Sequence, residues 1–178
     1  MDKRNSKLIV NNSGGTSSKG AKTYRVTIPN TWIEQLGLNE RKRDLSISFD
    51  GEKITILPKL SMAEYAEQNS INNLLKLNFY DNDTLCTSIL ADYTAKEVRV
   101  ESYINDNNHT AFGINTDPDW SDYLSFLEER CIPRTRAGLK EYLDAIGVDE
   151  YEPLEIIKKT KGRMAEDNHW IEVCENDG

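Results

Sequence analysis

The chain of 178 residues is 38% hydrophobic and 29% charged, a composition of folded soluble domains that excludes a largely disordered chain. Its longest apolar runs fall far short of the roughly 20 residues of a membrane-spanning helix, and its polar N-terminus is unlike a secretory signal peptide, so we expect a cytoplasmic protein. The net charge of −8 combines a basic head, residues 1–60 with eleven Lys/Arg and six Asp/Glu, with an acidic remainder of eleven Lys/Arg and twenty-four Asp/Glu, which indicates two parts with different partners.

The first elements are two short strands and a helix. Residues 7–10 are predicted to be a strand, and after a polar, glycine-rich loop residues 23–28 alternate as a second strand. Pro29 ends that strand because proline has no N–H for a sheet ladder. Asn30 is predicted to cap a short helix, which Gly37 closes in the left-handed conformation.

Two more strands complete this region. Residues 45–49 alternate apolar side chains with serines, and residues 54–58 follow a type I′ hairpin turn predicted at Asp50-Gly51. About fifty residues with four short strands and one short helix bury little apolar area, and an isolated sheet of this size is marginally stable. We therefore expect the region to form a homodimer.

Residues 5–59 resemble the AbrB/MazE/SpoVT family of DNA-binding domains. The resemblance rests on Tyr24-Arg25-Val26-Thr27-Ile28-Pro29, on Trp32-Ile33 and Leu36-Gly37-Leu38, and on Asp50-Gly51-Glu52-Lys53-Ile54-Thr55-Ile56. It implies that residues 1–59 form a swapped-hairpin, barrel-like domain in which two chains interleave their hairpins. Such a dimer presents basic side chains to double-stranded DNA.

The resemblance also implies which cations contact DNA. Arg25 matches the family's arginine ahead of the Val-x-Ile-Pro core, and Lys19 and Lys22 lie where further phosphate contacts are expected. One branch of the family carries a pair of arginines on the short helix, where this chain has Ile33 and Glu34. An acidic side chain at that position opposes phosphate binding.

A basic run, Arg41-Lys42-Arg43, follows the short helix. Its three side chains are candidates to replace the missing helix arginines at the DNA. A solvated loop is an equally good interpretation, because Lys and Arg are mostly exposed wherever they occur.

The remaining chain is predicted to be a helical linker, residues 60–75, and an acidic α+β domain, residues 76–178, that binds a protein partner. The linker contains a Ser-capped helix over residues 61–68. The domain is predicted to begin with a three-stranded antiparallel sheet. Its strands are Lys76–Tyr80, Leu85–Tyr93 and Glu97–Ile104.

About three helices are predicted after this sheet. The first is introduced by Asp117-Pro118-Asp119, and its inward face carries Trp120, Tyr123, Leu124 and Leu127. The second runs over residues 134–146 and ends at Gly147, and the third begins at Pro153. Trp170 in the tail is predicted to close the core.

Four arginines are the main basic concentration of the acidic part: Arg130, Arg134, Arg136 and Arg163. Arginine suits bidentate contacts with carboxylate or phosphate, so these side chains either pair with neighbouring acids or form a partner-binding patch. Residues 130–147 and 162–171 weakly resemble an accessory segment beside the kinase part of HipA-like proteins. Without a Gly-rich loop or a catalytic-loop Asp/Asn pair, this resemblance implies a docking domain and no kinase.

No catalytic residue, cofactor or metal site is predicted. Cys86, Cys131 and Cys174 are odd in number and form no Cys-x-x-Cys pair, so we expect buried or unreactive thiols. His109 and His169 lack ligand-type partners at helical spacing, so each is expected to be solvated or hydrogen-bonded. No acid and base pair or activated nucleophile has a recognisable local motif, so we expect no enzyme.

Two functions fit this sequence. The first is a non-enzymatic dimeric transcription regulator, with an antitoxin-like, autoregulatory layout, that binds an operator through the head and an unidentified protein through the acidic domain. The alternative is a mobile-element or phage anti-defence inhibitor, similar to an anti-CRISPR, whose acidic domain occupies a nucleic-acid groove on a host protein. DNA binding that depends on Arg25 favours the first function. Activity that survives deletion of residues 1–59 favours the second.

Overall fold

The computed structural model describes residues 2–12 and 21–174. The chain divides into two units, Met1–Lys59 and Leu60–Gly178. Helices and antiparallel sheets occur together within the described residues, which confirms the predicted α+β class. None of the described helices combines the length and apolar character needed to cross a membrane.

Unit 1 consists of two hairpins and a short helix. Its elements are β1 (Ile9–Asn12), β2 (Lys22–Arg25), α1 (Asn30–Gln35), β3 (Leu45–Phe49) and β4 (Ile54–Pro58). Among the described residues β1 pairs with β2 and β3 with β4, each antiparallel, so the unit holds two separate two-stranded sheets. Neither sheet closes into a barrel within the described part of this single chain.

The ends of α1 differ in how well they were predicted. Gly37 follows the helix with φ of +68°, as expected for a left-handed closing residue. Asn30 was predicted to be the N-cap but is the first helical residue. The cap is Pro29, whose carbonyl accepts hydrogen bonds from the N–H groups of Trp32 and Ile33 at 3.1 and 3.2 Å.

The loop between β3 and β4 is longer than predicted. Phe49 lies opposite Ile54, so residues 50–53 form a four-residue loop and the predicted type I′ turn is wrong. A type I′ turn needs positive φ at both central residues, whereas Gly51 has φ of +100° and Asp50 is not in that region. The Asp50 carboxylate instead accepts hydrogen bonds from two N–H groups further along the loop, each at 3.0 Å, which stabilises the longer connection.

Unit 2 is a four-stranded sheet with helices. Its elements are α2 (Met62–Gln68), β5 (Leu74–Asp81), β6 (Thr84–Asp92), β7 (Glu97–Ser102), a 3-10 helix (Asn107–His109), α3 (Trp120–Glu129), α4 (Leu139–Ile146), α5 (Pro153–Thr160) and β8 (His169–Cys174). The strand order is β7-β6-β5-β8, and all neighbours are antiparallel. The predicted three-stranded sheet is therefore wrong by one strand. The fourth, β8, pairs with β5 from Lys76 opposite Cys174 to Asp81 opposite His169.

The core of unit 2 lies between the sheet and helices α3 to α5. Leu77 and Ile89 of the sheet and Ile156 of α5 are fully buried in one cluster. The inward face of α3 was predicted only in part. Its buried side chains are Tyr123, Phe126 and Leu127, while Trp120 is half-buried and Leu124 is 47% exposed. Trp170 also differs from its predicted place in the core, because it lies half-buried and stacks on Tyr80 with ring centroids 4.3 Å apart.

The segment 60–75 belongs to unit 2 and includes the first two residues of β5. The predicted Ser-capped helix is confirmed, since Ser61 and Glu64 form a reciprocal capping box at the start of α2. Tyr65 is buried, and its hydroxyl donates to the Asp92 carboxylate at 2.9 Å. This hydrogen bond ties the helix to β6.

The first residues of α4 and α5 can be compared with the predicted helix starts. The second predicted helix begins five residues late, at Leu139, because Gly138 precedes it in the left-handed conformation with φ of +77°. Pro153 begins α5 as predicted, since its missing N–H is not needed in a first helical turn.

Candidate functional site

Unit 1 exposes large apolar side chains on both hairpins. Those that are at least 38% exposed are Leu8, Ile9, Val10, Tyr24, Val26, Leu36, Leu45, Ile47, Phe49, Ile54 and Leu57. Among its described residues, Leu38 alone is buried. A single copy of the described unit 1 therefore lacks an apolar core of its own.

The β3–β4 hairpin has one apolar face. Ile47 lies opposite Ile56, and Phe49 lies opposite Ile54, so these four side chains share a face of the hairpin. Ile47, Phe49 and Ile54 are 65–68% exposed. The opposite face carries the serines of β3. This hairpin is amphipathic, and its apolar face is open in a single chain.

The β1–β2 hairpin separates Arg25 from an apolar pair. Val10 lies opposite Tyr24, and Ile9 lies opposite Arg25, so the two pairs face opposite sides because successive side chains of a strand alternate. By the same alternation, Lys22 lies on the side of Val10 and Tyr24. A partner that covered the side of Val10 and Tyr24 would leave Arg25 accessible on the other side. Lys22 would lie next to the covered surface.

The other predicted DNA contacts have different surroundings. Lys19 lies outside the described residues. Arg41 and Arg43 are exposed, whereas Lys42 is half-buried and engages other groups of the protein. The side chain of Asn39 accepts hydrogen bonds from the N–H groups of Arg41 and Lys42 at 2.9 and 3.1 Å, so the basic run is an ordered turn.

Two neighbouring side chains of α1, Ile33 and Glu34, face different environments. Ile33 is half-buried and Glu34 is exposed. The carboxylate is thus positioned in solvent, where it repels a phosphate backbone at short range.

Arg130 is an internal residue of unit 2 and pairs with an acid, the first of the two roles expected for the four arginines. Its guanidinium makes a bidentate pair with Asp167, at 2.6 and 3.1 Å, and donates to the carbonyls of Gly162 and His169 at 2.9 and 3.0 Å. Hydrogen bonds lower the pKa of Asp167 to about 2, and those from the Arg130 guanidinium have the largest effect. The side chain of Arg130 is only 10% exposed. It joins the end of α3 to the segment before β8.

The other three arginines lie on the surface of unit 2. Arg134 pairs with Glu128, and its guanidinium lies over the ring of Tyr151 at 4.2 Å. Arg163 lies over Trp170 at 5.4 Å. Arg136 is exposed. Arg134 and Arg163 thus stack on different aromatic rings. That Arg134, Arg136 and Arg163 together form a partner-binding patch stays a prediction.

Two buried thiols fit the expectation for unreactive cysteines. Cys86 and Cys131 are buried, and Cys174 is half-buried. Burial raises the pKa of the Cys86 thiol and raises that of Cys131 to about 12. Both groups are therefore protonated at neutral pH, and a protonated thiol is a poor nucleophile and metal ligand.

The structure brings together three side chains that the sequence did not connect. Asp81 at the end of β5 lies opposite His169 at the start of β8, and His109 ends the 3-10 helix beside them. One ligand atom of each lies within 4.8 Å of the other two. The histidines are 60 residues apart, and β8 was not predicted, so no local spacing could have revealed this cluster.

Comparisons with protein-family models, with curated proteins and with solved structures give no match to this chain. A function for the protein is therefore inferred from the geometry and charge of its two units.

Proposed function

We propose that the protein is a dimeric DNA-binding transcription regulator whose unit 1 becomes an AbrB/MazE/SpoVT-like swapped-hairpin domain when two copies interleave. The observation that carries the proposal is the open apolar face of each hairpin, represented by Phe49 and Ile54 on one and by Tyr24 on the other. A second copy of the same hairpins supplies an apolar surface of matching size and pattern. The interleaved dimer is the fold that the family resemblance implies.

The exposed apolar area is sufficient to drive such an association. Burial of one large apolar side chain contributes about 1.5–3 kcal/mol. Association of two chains costs roughly 4–15 kcal/mol in lost translational and rotational freedom. In the described part of unit 1 eleven such side chains are 38–68% exposed, so each contributes about half of that value when it is covered. Covering half of them in each of two copies gives a gain of the same order as the association cost.

DNA is the partner that the charge of this unit favours. Each unit 1 carries eleven Lys/Arg and six Asp/Glu, a formal charge of +5. Arg25 lies on the side of its hairpin away from Val10 and Tyr24, so covering that apolar pair leaves its guanidinium free to meet phosphate. Arg41 and Arg43 are exposed and add two cations on an ordered turn. We propose these three arginines as the main contacts with the DNA phosphates.

Unit 2 is proposed to bind a protein. Its charge is −13, from eleven Lys/Arg and twenty-four Asp/Glu, and such a surface is repelled by nucleic acid and attracted to basic protein surfaces. In an autoregulatory antitoxin-like protein this unit would hold the toxin while unit 1 holds the operator.

Fluorescence anisotropy across a salt series tests the DNA-binding proposal. The full chain is titrated with duplex DNA from upstream of its own coding sequence and with a scrambled duplex. We expect Arg25→Ala to weaken binding and to reduce the salt slope by about one for every phosphate that is no longer neutralised. Lys140→Ala is the matched control, because it removes the same charge from an exposed position on α4 of unit 2. No binding at low salt, or equal weakening in both variants, contradicts the proposal and directs the search to protein targets.

A further inference from the structure

The cluster at the β5–β8 end of the sheet has the composition of a transition-metal site. It contains the only two histidines of the chain, His109 and His169, together with the carboxylate of Asp81. All three residues are half-buried. Two imidazole nitrogens with one carboxylate oxygen are a donor set that suits zinc, iron, nickel or copper better than magnesium or calcium, which prefer oxygen donors.

The distance between the two imidazole nitrogens fits a tetrahedral ion. Two nitrogens that each lie about 2.0–2.1 Å from a tetrahedral zinc ion are roughly 3.3 Å apart. Nδ1 of His109 and Nε2 of His169 are 3.3 Å apart. Oδ2 of Asp81 is 2.9 Å from the same Nδ1, so a small rotation of the carboxylate completes the third position.

A carboxylate beside His169 favours the tautomer that a metal needs. Its other ring nitrogen, Nδ1, faces Oδ2 of Asp167 at 3.4 Å, and Arg130 fixes that carboxylate by a bidentate pair. A proton on Nδ1 directed at Asp167 leaves the Nε2 lone pair for the cluster. A carboxylate behind a metal-binding histidine is a common arrangement that orients the ring.

The backbone positions of the ligands are well supported. Asp81 and His169 are directly paired residues of an antiparallel ladder, and the ring of Phe79 packs against that of His169 with centroids 4.9 Å apart. His109 is held by the 3-10 helix, which the Asp106 side chain caps by accepting from the N–H of Asn108 at 3.0 Å. Oδ2 of Asp106 also lies 4.0 Å from Nε2 of His109.

We propose that Asp81, His109 and His169 bind one divalent transition-metal ion of the zinc class. Three protein ligands leave one position of a tetrahedral ion for water or for a group of a bound partner. The ion joins the start of β8 and the 3-10 helix to the end of β5, so it ties together three segments that are distant in sequence. This site is independent of the proposed DNA binding by unit 1.

Calorimetric titration of the untagged full chain with Zn²⁺ tests the site. We expect one ion per chain and no comparable binding of Mg²⁺. Removal of a hydrogen-bond partner behind a metal ligand typically costs 10–100-fold in metal affinity, so Asp81→Asn and His109→Ala, which each remove a ligand, should weaken zinc binding by about 100-fold or more. Asp83→Asn is the matched control, since it removes an exposed carboxylate from the same β5–β6 turn.

A second measurement does not depend on variants that fold. The chain has two histidines, so a carbon–proton spectrum of its imidazole rings contains two sets of signals. Zinc should shift both sets with the same stoichiometry, and Co²⁺ should give the visible absorption of a tetrahedral complex. Unchanged ring signals, or zinc affinity equal in the wild type and in Asp81→Asn, would overturn the proposal and leave a hydrogen-bonded cluster of these three side chains.

Discussion

The two units of this chain place their apolar side chains in opposite ways. In unit 2 the sheet and three helices bury one continuous cluster, in which Leu77, Ile89, Tyr123 and Ile156 are inaccessible to solvent. In the described part of unit 1 only Leu38 is buried, and residues such as Phe49 are two-thirds exposed. Apolar residues alternate with serines along β3 of unit 1, whereas β6 of unit 2 is buried on both faces from Cys86 to Asp92. The covering surface comes from the same chain in unit 2 and, by our proposal, from a second chain in unit 1.

The largest effect is expected from a charge on the open face of unit 1. In the proposed dimer Phe49→Asp buries an unpaired carboxylate in each copy, at a cost of roughly 3–5 kcal/mol per charge. We expect sedimentation equilibrium to give the mass of a dimer for the wild type and of a monomer for this variant. Ile71→Asp is the control, because Ile71 is 97% exposed in unit 2 and its replacement should leave the mass unchanged. A monomeric wild type would contradict the claim that a second chain covers the apolar face of unit 1.

A core truncation in unit 2 should act within one chain. Ile156 is fully buried on α5, and Ile→Ala at such a site typically costs about 2–5 kcal/mol. We expect Ile156→Ala to lower the free energy of unfolding of unit 2 by this amount, measured by urea denaturation, with no dependence on protein concentration. Leu124→Ala, at a 47% exposed position of α3, should cost much less. Equal decreases in the two variants would mean that α3 and α5 pack differently.

The buried Asp92 should make the stability of unit 2 depend on pH. Burial raises the pKa of Asp92, but hydrogen bonds from the Ala95 N–H, from Asn72 and from Tyr65 outweigh it, so the net pKa is lowered. A lowered folded-state pKa stabilises the fold at pH values above the ordinary pKa of 3.8, and this contribution disappears as the pH falls through the lower folded-state value.

The test of that linkage is urea unfolding of the wild type and of Asp92→Asn between neutral and strongly acidic pH. The two free energies of unfolding should differ most at neutral pH, by about 1–3 kcal/mol for the buried partners left without their acceptor. The difference should shrink as the carboxylate is protonated. A difference that stays constant with pH would show that Asp92 is not ionised in the folded chain.

A smaller effect is expected at the start of α2. Ser61→Ala removes the hydroxyl that accepts from the Glu64 N–H in the capping box and should cost about 1 kcal/mol. Because Tyr65 joins α2 to β6 through Asp92, the change should appear in the unfolding of unit 2 as a lower midpoint in thermal denaturation. Ser70→Ala, at an exposed turn residue, is the control. An unchanged midpoint for Ser61→Ala would indicate that α2 does not share the cooperative unfolding of the sheet.

Local chemistry explains which features could be predicted from the sequence. The cap at Ser61, the left-handed Gly37 and the start of α5 at Pro153 depend on neighbouring residues and are found as predicted. The type I′ turn at Asp50-Gly51 was predicted from the same kind of signal, but hydrogen bonds of the Asp50 side chain favour a longer loop.

Features that depend on distant parts of the chain could not be predicted. Strand β8 pairs with β5 across about ninety residues, as Asn78 and Glu172 illustrate with a separation of 94. The pairing of Arg130 with Asp167 and the approach of His109 to His169 follow from the same long-range closure. In each case the residue type indicated a capacity for ionic or metal contacts, and only the topology supplied the partner.

The most direct test of the proposed dimer is an isotope-filtered nuclear Overhauser experiment on a mixed sample of labelled and unlabelled full-length protein. We expect contacts between copies at the apolar face of unit 1, involving Tyr24, Phe49 and Ile54, and we expect contacts of the buried Ile156 and Leu77 to arise within one copy. If contacts of the unit 1 side chains arise only within a single copy, unit 1 is not completed by a second chain, and the proposed dimeric DNA-binding domain is contradicted.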